Sequence, residues 1–499
     1  MKKCLFMKKC LVALALFTAL AAFAAEKPWL TASMKNPKEF FANASDIVRK
    51  VYPDPQIEMT TALTLAPFGF PDFQGIGNEN FALALFGNPD APQAFLAVKA
   101  AKNSAAYKFV QQAHMRNLEK DGWIIVQTAG SSTADIAKYA DGAINAAKEK
   151  SGAEISLTIS DTGFLNAQKL PQNMPENVQK TYKAVMESLS QIESINISLF
   201  YAPDSLKLKT TTVAKKGSDI EKLLAEIPLK KRVKEAAFVP QDATFTVISS
   251  FNGKAAAKYY DKFAGWLLSG IGFSQAAINA CKEISEYTTT SATAIRFAEN
   301  GMTETISIAQ TPLSLEKIVK ATTMATTEAF KNAGGTNAPT FGAEKKIIDG
   351  IEVYETSAID AGENGMEIQP MFMAKKNDYF VSAQTAESVK AVFEKIENPP
   401  ADYPLKKYVS ANADAVAVLN NSQLLKTIFA QFGVDYNGSV DSCDTFVYFE
   451  KGKVKSDTFI PVKVLRAYAD IIRKISQIQA EAQKGEEDES QNSEEDEAQ

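Results

Sequence analysis

Three stretches of the chain share one pattern, and that pattern determines the predicted fold class. They are ISLFYAPDSLKLKTTTVA at 197–214, TAIRFAENGMTETISIAQ at 293–310 and TFVYFEKGKVKSDTFIPV at 445–462. Each stretch alternates apolar and polar residues, passes through turn-forming residues and alternates again, as a β-hairpin does. The stretches align over 18 residues without a gap, and Tyr201, Phe297 and Phe449 hold the last position before the turn. We expect these three rings to lie on the same face of their hairpins and to be buried.

Amphipathic helices are predicted between the hairpins. After Asn252, the residues Ala256, Tyr260 and Phe263 fall on one helical face, opposite Lys258. No strand–helix–strand run is regular enough to predict a doubly wound parallel sheet. Antiparallel hairpins with helices packed beside them form an α+β architecture. The sequence therefore predicts an α+β protein in which a twisted, mainly antiparallel sheet of hairpins is flanked by amphipathic helices.

Other segments also recur, and together they predict an internal duplication. Residues 121–129 match residues 378–386, with Trp123 aligned to Phe380 and an identical Gln-Thr-Ala. A third kind of repeat is an alternating strand, found at 153–159, 243–248 and 413–418. Self-similarity of this kind indicates repeated structural units. The predicted organisation is two related α+β halves, residues 25–235 and 236–484.

The repeated Gln-Thr dipeptide has two interpretations. It occurs at 127–128, 310–311 and 384–385, each time before a predicted helix. In the first interpretation the threonine oxygen accepts a hydrogen bond from a free amide of the first helical turn and so caps the helix. In the second, the dipeptide is a ligand-binding signature. Capping requires no ligand and is the preferred interpretation.

Residues 1–24 have the layout of a cleaved secretory signal. Four lysines lie within residues 1–9, residues 11–24 are apolar and uncharged, and Ala22-Phe23-Ala24 supplies a signal-peptidase site. The apolar run is shorter than the roughly 20 residues that a membrane-spanning helix needs. Cys4 and Cys10 precede this run, so a lipid anchor is not expected. The sequence predicts an exported protein, periplasmic or secreted, with no transmembrane segment after cleavage.

The charge of the chain is concentrated at its two ends. The formal net charge is −5. When the four lysines of the signal and the eight acids of residues 485–499 are set aside, the remaining body is close to neutral. A neutral body lacks the basic surface that nucleic-acid binding requires, so no nucleic acid is expected as a partner. Residues 485–499 hold almost no apolar side chain and are predicted to be a disordered acidic tail.

The usual catalytic and metal-binding combinations are poorly supplied. His114 is the one histidine and is placed on the polar stretch of a helix, so neither a histidine-based triad nor a zinc site is expected. Cys281 and Cys443 remain after signal cleavage and form either one disulfide or two separate thiols. No phosphate-binding glycine loop occurs, and residues 435–441 do not continue into an EF-hand calcium loop. The sequence predicts no catalytic residue, no cofactor and no metal site.

These observations favour a non-enzymatic exported protein that binds or scaffolds through its sheet faces or the groove between its halves. Its partner is an unknown protein or an apolar ligand. The alternative is a carrier that encloses an apolar ligand between sheet and helices, with Phe68, Phe70, Phe73 and Ile76 as a candidate lid; packing of this loop on the fold is the preferred interpretation of these four residues. A hydrolase that uses only carboxylates is a further alternative. An apolar cavity would favour the carrier, and two facing acids in a cleft would favour the enzyme.

Signal cleavage is directly testable. We expect the mature chain to begin at or near Ala25, because Ala22 and Ala24 supply small residues at the third and first positions before the cleaved bond. N-terminal sequencing of the exported protein checks this. A folded product that still begins at Met1 or Met7 contradicts it.

Overall fold

The computed structural model describes most of the chain between residues 28 and 477. The described ranges are 28–52, 59, 73–88, 91–130, 135–149, 152–160, 176–270, 273–297, 303–334, 339–358, 369–409, 412–430, 438–474 and 476–477. The predicted signal peptide, the predicted acidic tail, Phe68 and Phe70 lie outside these residues. The predictions made for them therefore remain predictions.

The strands form one sheet in which every neighbouring pair is antiparallel. Across the sheet the order is β4-β5-β3-β2-β1-β6-β7-β8-β18-β17-β16-β9-β10-β11-β15-β14-β13-β12. The strands are β1 (Leu30–Met34), β2 (Phe81–Phe86), β3 (Gln93–Lys99), β4 (Asn117–Lys120), β5 (Trp123–Ala129), β6 (Ile155–Ile159), β7 (Ile192–Ala202), β8 (Ser205–Ala214), β9 (Phe245–Ser250), β10 (Thr290–Phe297), β11 (Thr303–Gln310), β12 (Phe341–Ile348), β13 (Ile351–Ala358), β14 (Met371–Lys376), β15 (Tyr379–Ala383), β16 (Ala415–Leu419), β17 (Cys443–Glu450) and β18 (Lys453–Pro461).

Helices connect the strands and lie against both faces of the sheet. They are α1 (Pro37–Val51), α2 (Ala105–Gln112), α3 (Ile136–Lys148), α4 (Glu176–Ser190), α5 (Asp219–Glu226), α6 (Gly253–Gly270), α7 (Gln275–Tyr287), α8 (Leu315–Gly334), α9 (Ala386–Glu397), α10 (Lys406–Val409), α11 (Asn421–Ala430) and α12 (462–474), with a short 3₁₀ helix at Lys234–Ala237. Several begin with a side-chain cap; Ser104, Asp135, Ser218 and Ser274 each accept a hydrogen bond from a first-turn amide. The predicted α+β class with a mainly antiparallel sheet is confirmed.

The strand order is nearly the same when the sheet is followed outward from its middle in either direction. In the middle, β8 pairs with β18, and Lys209 lies opposite Asp457. These two residues occupy the same position in two of the hairpin stretches aligned above. Beyond them, β7, β6, β1, β2, β3 and β5 on one side correspond to β17, β16, β9, β10, β11 and β15 on the other, and β12–β13 is an added hairpin. The division into domains at residues 235 and 236 stays a prediction, because one continuous sheet passes through both parts.

The two main cores lie on one face of the sheet, which we call the α3/α9 face. At one end, Ala140, Ala143 and Ala147 of α3 pack on Phe95 and Ile125. At the other end, Val389, Val392 and Phe393 of α9 pack on apolar residues of β10, β11 and β15. The small alanines of α3 let the helix approach the strands closely, and the larger rings of β2, β3 and β5 fill the interface.

The predicted correspondence between Trp123 and Phe380 is wrong by one residue. Trp123 follows the turn residues Asp121 and Gly122, whereas the corresponding turn at the other end is Asn377-Asp378, so Tyr379 is the counterpart of Trp123. Trp123 packs with α3, and Phe380 packs on the other face with α8. A shift of one residue along a strand moves every side chain to the opposite face. The identical Gln-Thr-Ala triplets at 127–129 and 384–386 favour a sequence alignment that is shifted by one residue from the correspondence of the two strands.

The three aligned hairpins do not all hold the same position. The β7–β8 and β17–β18 hairpins correspond, because both lie in the middle of the sheet. The β10–β11 hairpin corresponds instead to β2–β3, which lies farther from the middle on the other side. Tyr201, Phe297 and Phe449 do share a face, as the strand registers show, but each ring is only half-buried. The expectation of three buried rings is therefore wrong, and their truncation creates smaller cavities than a core ring would.

The difference between a core ring and a hairpin ring is measurable. We expect Trp123→Ala to lower the free energy of unfolding by about 3–5 kcal/mol, because Trp123 is 2% exposed and its loss leaves a cavity under α3. Phe449→Ala, the matched control, should cost less than half of that. Urea unfolding followed by circular dichroism compares them. Equal losses for the two variants would contradict the assignment of Trp123 to the core.

Candidate binding face

The middle strands sort charged and uncharged side chains onto opposite faces. In β8, Lys207 and Lys209 point to the α3/α9 face, while Leu206 and Leu208 point to the other face. We call this second face the open face and follow it from strand to strand by register. One row runs from Leu157 through Ile197, Thr210, Ser456, Val447, Ala415, Ser249 and Ser291 to Ala309. The pleat therefore makes the open face a single surface shared by strands from both predicted halves.

No charged side chain points to the open face between β5 and β15, within the strand residues that the structure describes. Glu193 is set apart from both rows of side chains, because it is exposed and lies at a register irregularity of β7 where it has no paired residue on β8. The first charges beyond this range are Glu119 in β4, which accepts a hydrogen bond from the Tyr107 hydroxyl at 2.6 Å, and Lys375 in β14, whose Nζ donates to the carbonyl of Leu313 at 2.6 Å. On the α3/α9 face of the same middle strands, Lys207 pairs with Asp457 at 2.7 Å. The charged face meets water, and the open face has the composition of an interior surface.

The strands β6, β7 and β8 form what we call the aliphatic region of the open face. Each of its side chains is half-buried, in contrast to Phe95 and Ile125 on the α3/α9 face, which are fully buried. The region consists of Ile155, Leu157, Ile159, Ile195, Ile197, Leu199, Leu206 and Leu208. Contiguous aliphatic surface that stays accessible usually marks a binding site.

The strands β17, β16, β9, β10 and β11, with part of β18, form what we call the hydroxyl region, in which hydroxyl side chains stand on the open face among apolar ones such as Val247, Ile295 and Val447. Three cross-strand pairs lie there: Ser249 with Ser291 at 2.9 Å, Thr293 with Ser307 at 3.3 Å, and Thr445 with Thr458 at 3.0 Å. At the corresponding strand positions near the aliphatic region stand Met34, Leu83 and Ile197. No described helix packs on the open face of β9, β10 or β11 as closely as α3 packs on β2 and β3. The two ends of the open face therefore share a backbone plan but differ in chemistry.

Two buried acids stand at matching positions, at the starts of β6 and β16. Glu154 accepts hydrogen bonds from Lys35 at 3.3 Å and Asn43 at 2.9 Å. Asp414 accepts from Lys230 at 2.6 Å and from the backbone N–H of Phe449 at 2.7 Å. Five strand steps separate β6 from β16, or about 24 Å at the usual strand spacing. A glycosidase pair lies within roughly 10 Å, so these two acids brace the strands and do not form such a pair.

A third buried acid, Glu235, lies in the 3₁₀ helix on the α3/α9 face. Its side chain is 1% exposed, and its Oε1 accepts a hydrogen bond from Thr290 at 2.7 Å. Oε2 has no hydrogen-bond partner among the described residues. Burial raises the pKa of Glu235, against the lowering effects of the Thr290 hydrogen bond and of Lys231 and Lys234. Glu235 is therefore a buried carboxyl that resists ionisation.

Two clefts open elsewhere on the surface. One of about 310 Å³ lies between the start of α6 and the end of β11, where Lys231 Nζ donates to Gln310 at 2.8 Å, and its lining includes Asn252, Tyr287, Pro312 and Asp378. Another of about 440 Å³ lies between Phe429 and residues of α12, including Arg473 and Lys474. Both clefts are open to solvent and bordered by charged residues, so neither is an enclosed cavity of the kind that a carrier was predicted to have.

The Gln-Thr dipeptides do not share one role. Thr385 caps α9 as predicted, accepting the Ser388 amide at 3.2 Å. Thr311 accepts the amide of Leu313 at 3.3 Å in the turn before α8. Thr128 instead donates to the carbonyl of Ala94 at 3.3 Å, and the cap of α3 is Asp135. Capping is confirmed for residue 385 and wrong for residue 128.

His114 and the two cysteines do not form a reactive site. His114 lies just beyond the end of α2, exposed and with φ of 50°, and not on the helix itself. Cys281 and Cys443 are not bonded to each other. Burial raises the pKa of both thiols, which keeps them protonated and poorly nucleophilic. Of the candidate lid, Phe73 is buried and stacks on Phe41 of α1 with ring centres 5.4 Å apart, so this ring is packed.

No protein-family model and no curated protein sequence matches the chain. Among solved structures, crystal form IV of TP0453 is 11% identical, and the match covers 48% of this chain and 95% of that chain with a TM-score of 0.24. Crystal form I of TP0453 is 10% identical and covers 48% of this chain and 99% of that chain with a TM-score of 0.23. Superpositions this loose carry no inference about function. Within the described residues, no helix has the length and apolar character needed to cross a membrane.

The buried Glu235 predicts a pH effect on stability. An acid whose pKa is raised by folding stabilises the fold fully below its unfolded pKa and loses that contribution as pH rises through its folded pKa. Glu235→Gln removes this loss. We therefore expect the free energy of unfolding of the variant, relative to that of the natural protein, to increase between pH 4.5 and pH 8.

Urea unfolding at several pH values measures this effect. The control is Glu193→Gln, which changes an exposed acid of β7 and should leave the pH profile unchanged. A Glu235→Gln profile parallel to that of the natural protein contradicts the burial of an ionisable carboxyl.

Proposed function

We propose that the protein is an exported, non-enzymatic binding protein that holds an apolar ligand on the aliphatic region of its open face. The observation that carries the proposal is the half-burial of eight aliphatic side chains on three adjacent strands. Alternation of side chains puts these eight residues on the open face. On the α3/α9 face, aliphatic residues such as Ile125, Ile306 and Ile308 are fully buried. A ligand completes the burial that the described helices leave unfinished.

The size of the region sets the scale of the ligand. Micromolar affinity corresponds to about −8 kcal/mol, and apolar burial contributes roughly 25 cal/mol per Å². A ligand must therefore bury about 300 Å² or more of apolar surface, beyond what offsets the entropy cost of association. Three adjacent strands span about 10 Å between the outer two, which suits an extended hydrocarbon chain better than a compact ring.

The roles of the buried acids support the absence of catalysis in this proposal. Glu154 and Asp414 each hold a lysine and fix the start of a strand. Glu304 accepts from Arg296 at 2.6 Å and from Thr385 at 3.0 Å, which ties β11 to the start of α9. These acids are committed to the fold, and the paired strand residues that the structure describes on the open face between β5 and β15 are uncharged.

A protein partner is the second candidate, favoured by the α3/α9 face of the middle strands. There, lysines lie over aromatic rings: Lys207 Nζ is 4.5 Å from the ring centre of Phe459, and Lys209 Nζ is 5.1 Å from that of Phe200. Such amphipathic surface suits a scaffolding contact. Binding that survives changes to the aliphatic region but is lost on Lys209→Glu would favour this candidate.

The location is part of the same proposal. We place the protein outside the cytoplasm, in a periplasm or secreted, because residues 1–24 have the layout of a secretory signal. A carrier of apolar compounds is useful where such compounds must cross water.

Ligand binding is tested with N-phenyl-1-naphthylamine, an uncharged probe that fluoresces in apolar surroundings. We expect saturable binding with micromolar Kd. Ile197→Asn and Leu208→Asn should each weaken it about tenfold or more, because each replaces aliphatic contact with a polar amide. The matched control is Thr211→Asn, which lies in β8 on the α3/α9 face and should bind normally.

The outcome that contradicts the proposal is equally specific. Non-saturable fluorescence, or equal losses for Leu208→Asn and Thr211→Asn, would remove the aliphatic region as the site. Native mass spectrometry of the purified protein supplies an independent measurement, and an apolar compound that co-purifies should be absent from Ile197→Asn.

A further inference from the structure

We infer that the ligand is an uncharged amphiphile, with its hydrocarbon chain on the aliphatic region and a hydroxyl-bearing head group on the hydroxyl region. This inference rests on the proposed function and adds the chemistry of the head group and the direction in which the ligand lies. It is carried by the contrast between the two ends of one continuous sheet face.

The two regions are neighbours on the same face. Ile197 of β7 and Thr445 of β17 are three strand steps apart, or about 14 Å, and only β8 and β18 lie between them. The intervening open-face residues are Leu206, Leu208, Thr210 and Thr212 in β8 and Ile460, Thr458, Ser456 and Val454 in β18, so hydroxyl groups begin directly beside the leucines. A molecule with one apolar end and one polar end therefore meets mainly aliphatic side chains at one end of this face and hydroxyl pairs at the other.

The head group is inferred to be uncharged because the described strands of the hydroxyl region place no compensating charge on the open face, and Lys50 of α1, which reaches Tyr201 on this face, is already paired with Asp46. A carboxylate or phosphate moved out of water requires a partner of opposite charge, or its desolvation costs several kcal/mol. From β5 to β15 the described strand residues place no lysine or arginine on this face. Lys375 beyond it already donates to Leu313. Fatty acids and phospholipids are therefore disfavoured.

Hydroxyl groups suit a head group that itself carries hydroxyls. Each serine or threonine hydroxyl has one donor and two acceptor sites, so the pair formed by Ser249 and Ser291 keeps hydrogen-bonding capacity for a ligand. All of these side chains are half-buried, which leaves them accessible. A sugar or polyol exchanges hydrogen bonds with such a surface without introducing a buried charge.

The hydroxyl region also has more room above its strands. Ala415 and Ala417 of β16 correspond to Ile155 and Leu157 of β6 in the aliphatic region. Alanine side chains are several atoms shorter than these branched ones, so the surface of the open face lies closer to the backbone at both positions. A head group bulkier than a hydrocarbon chain is accommodated there, and the chain itself contacts the taller residues of β6 and β7.

Displacement of N-phenyl-1-naphthylamine by single-chain compounds, used below their critical micelle concentrations, tests the inference. The compounds share a dodecyl chain and differ in the head group: dodecyl maltoside, dodecanol, dodecanoate and dodecylphosphocholine. We expect dodecyl maltoside to bind about tenfold more tightly than the other three at pH 8, where dodecanoate is ionised.

Variants of the hydroxyl region separate head-group contacts from chain contacts. Ser249→Ala/Thr293→Val removes two hydroxyls with little change of shape and should reduce the advantage of dodecyl maltoside by about tenfold, while dodecanol binds as before. Thr211→Val, on the α3/α9 face of β8, is the matched control and should change neither. Thermal unfolding confirms that the double variant remains folded.

The possible failures are distinguishable. If none of the dodecyl compounds displaces the probe, the proposed function itself is wrong. If dodecanol displaces it but dodecyl maltoside binds no more tightly, the head-group site on the hydroxyl region is wrong; if dodecanoate or dodecylphosphocholine binds most tightly, the absence of charge on the ligand is wrong. In both cases the apolar site stands. An advantage for dodecyl maltoside that survives in Ser249→Ala/Thr293→Val also overturns the placement of the head group.

Discussion

The pairing of β8 with β18 determines which side chains share a surface across the whole sheet. Lys209 lies opposite Asp457 at the centre of this pair, and all other registers continue outward from it. A slip of one residue here would place the lysines of β18 on the same face of the sheet as the leucines of β8. The open face is uncharged only because the β7–β8 and β17–β18 hairpins pair in a register that puts their charged side chains on the opposite face. The Lys207–Asp457 ion pair on that opposite face favours this register, since a slip would separate the two charges.

The α+β class, the hairpins and the capping role of Thr385 follow from the sequence by alternation and turn chemistry. The aliphatic residues of β6, β7 and β8 are also visible in the sequence, since Ile155-Leu157-Ile159 and Ile195-Ile197-Leu199 alternate clearly. Their half-burial was not predictable, because alternation shows which side chains share a face but not what covers them. The one-residue error at Trp123 has a similar origin: Asp121-Gly122 and Asn377-Asp378 are equivalent turns written with different residues. The added β12–β13 hairpin has no counterpart to compare, so self-similarity gave no signal for it.

The different chemistry at the two ends of the open face shows how strands of one plan can diverge. Cross-strand pairs that are aliphatic near β6 and β7 are hydroxyl pairs near β9 and β10, while the backbone hydrogen bonds remain matched. The amide of Glu154 donates to Leu199 at 2.8 Å, and that of Asp414 donates to Val447 at 2.9 Å. The backbone contacts that hold the strands are therefore independent of the side chains that face a ligand. Such separation lets a binding surface change without loss of the fold.

The added hairpin also changes how the sheet ends. An open sheet leaves a free backbone edge on each side, and a free edge invites pairing with another molecule and aggregation. In the described part of the chain these edges are β4, which has four residues, and β12, which carries Glu344, Lys345 and Lys346 in succession. Lys345 and Lys346 are held by Glu352 and Glu355 of β13 at 2.6 Å, so a strand from a neighbouring molecule would have to pack beside fixed charges. One edge is too short to template a partner and the other is electrostatically guarded, which protects a wide antiparallel sheet from growing into fibres.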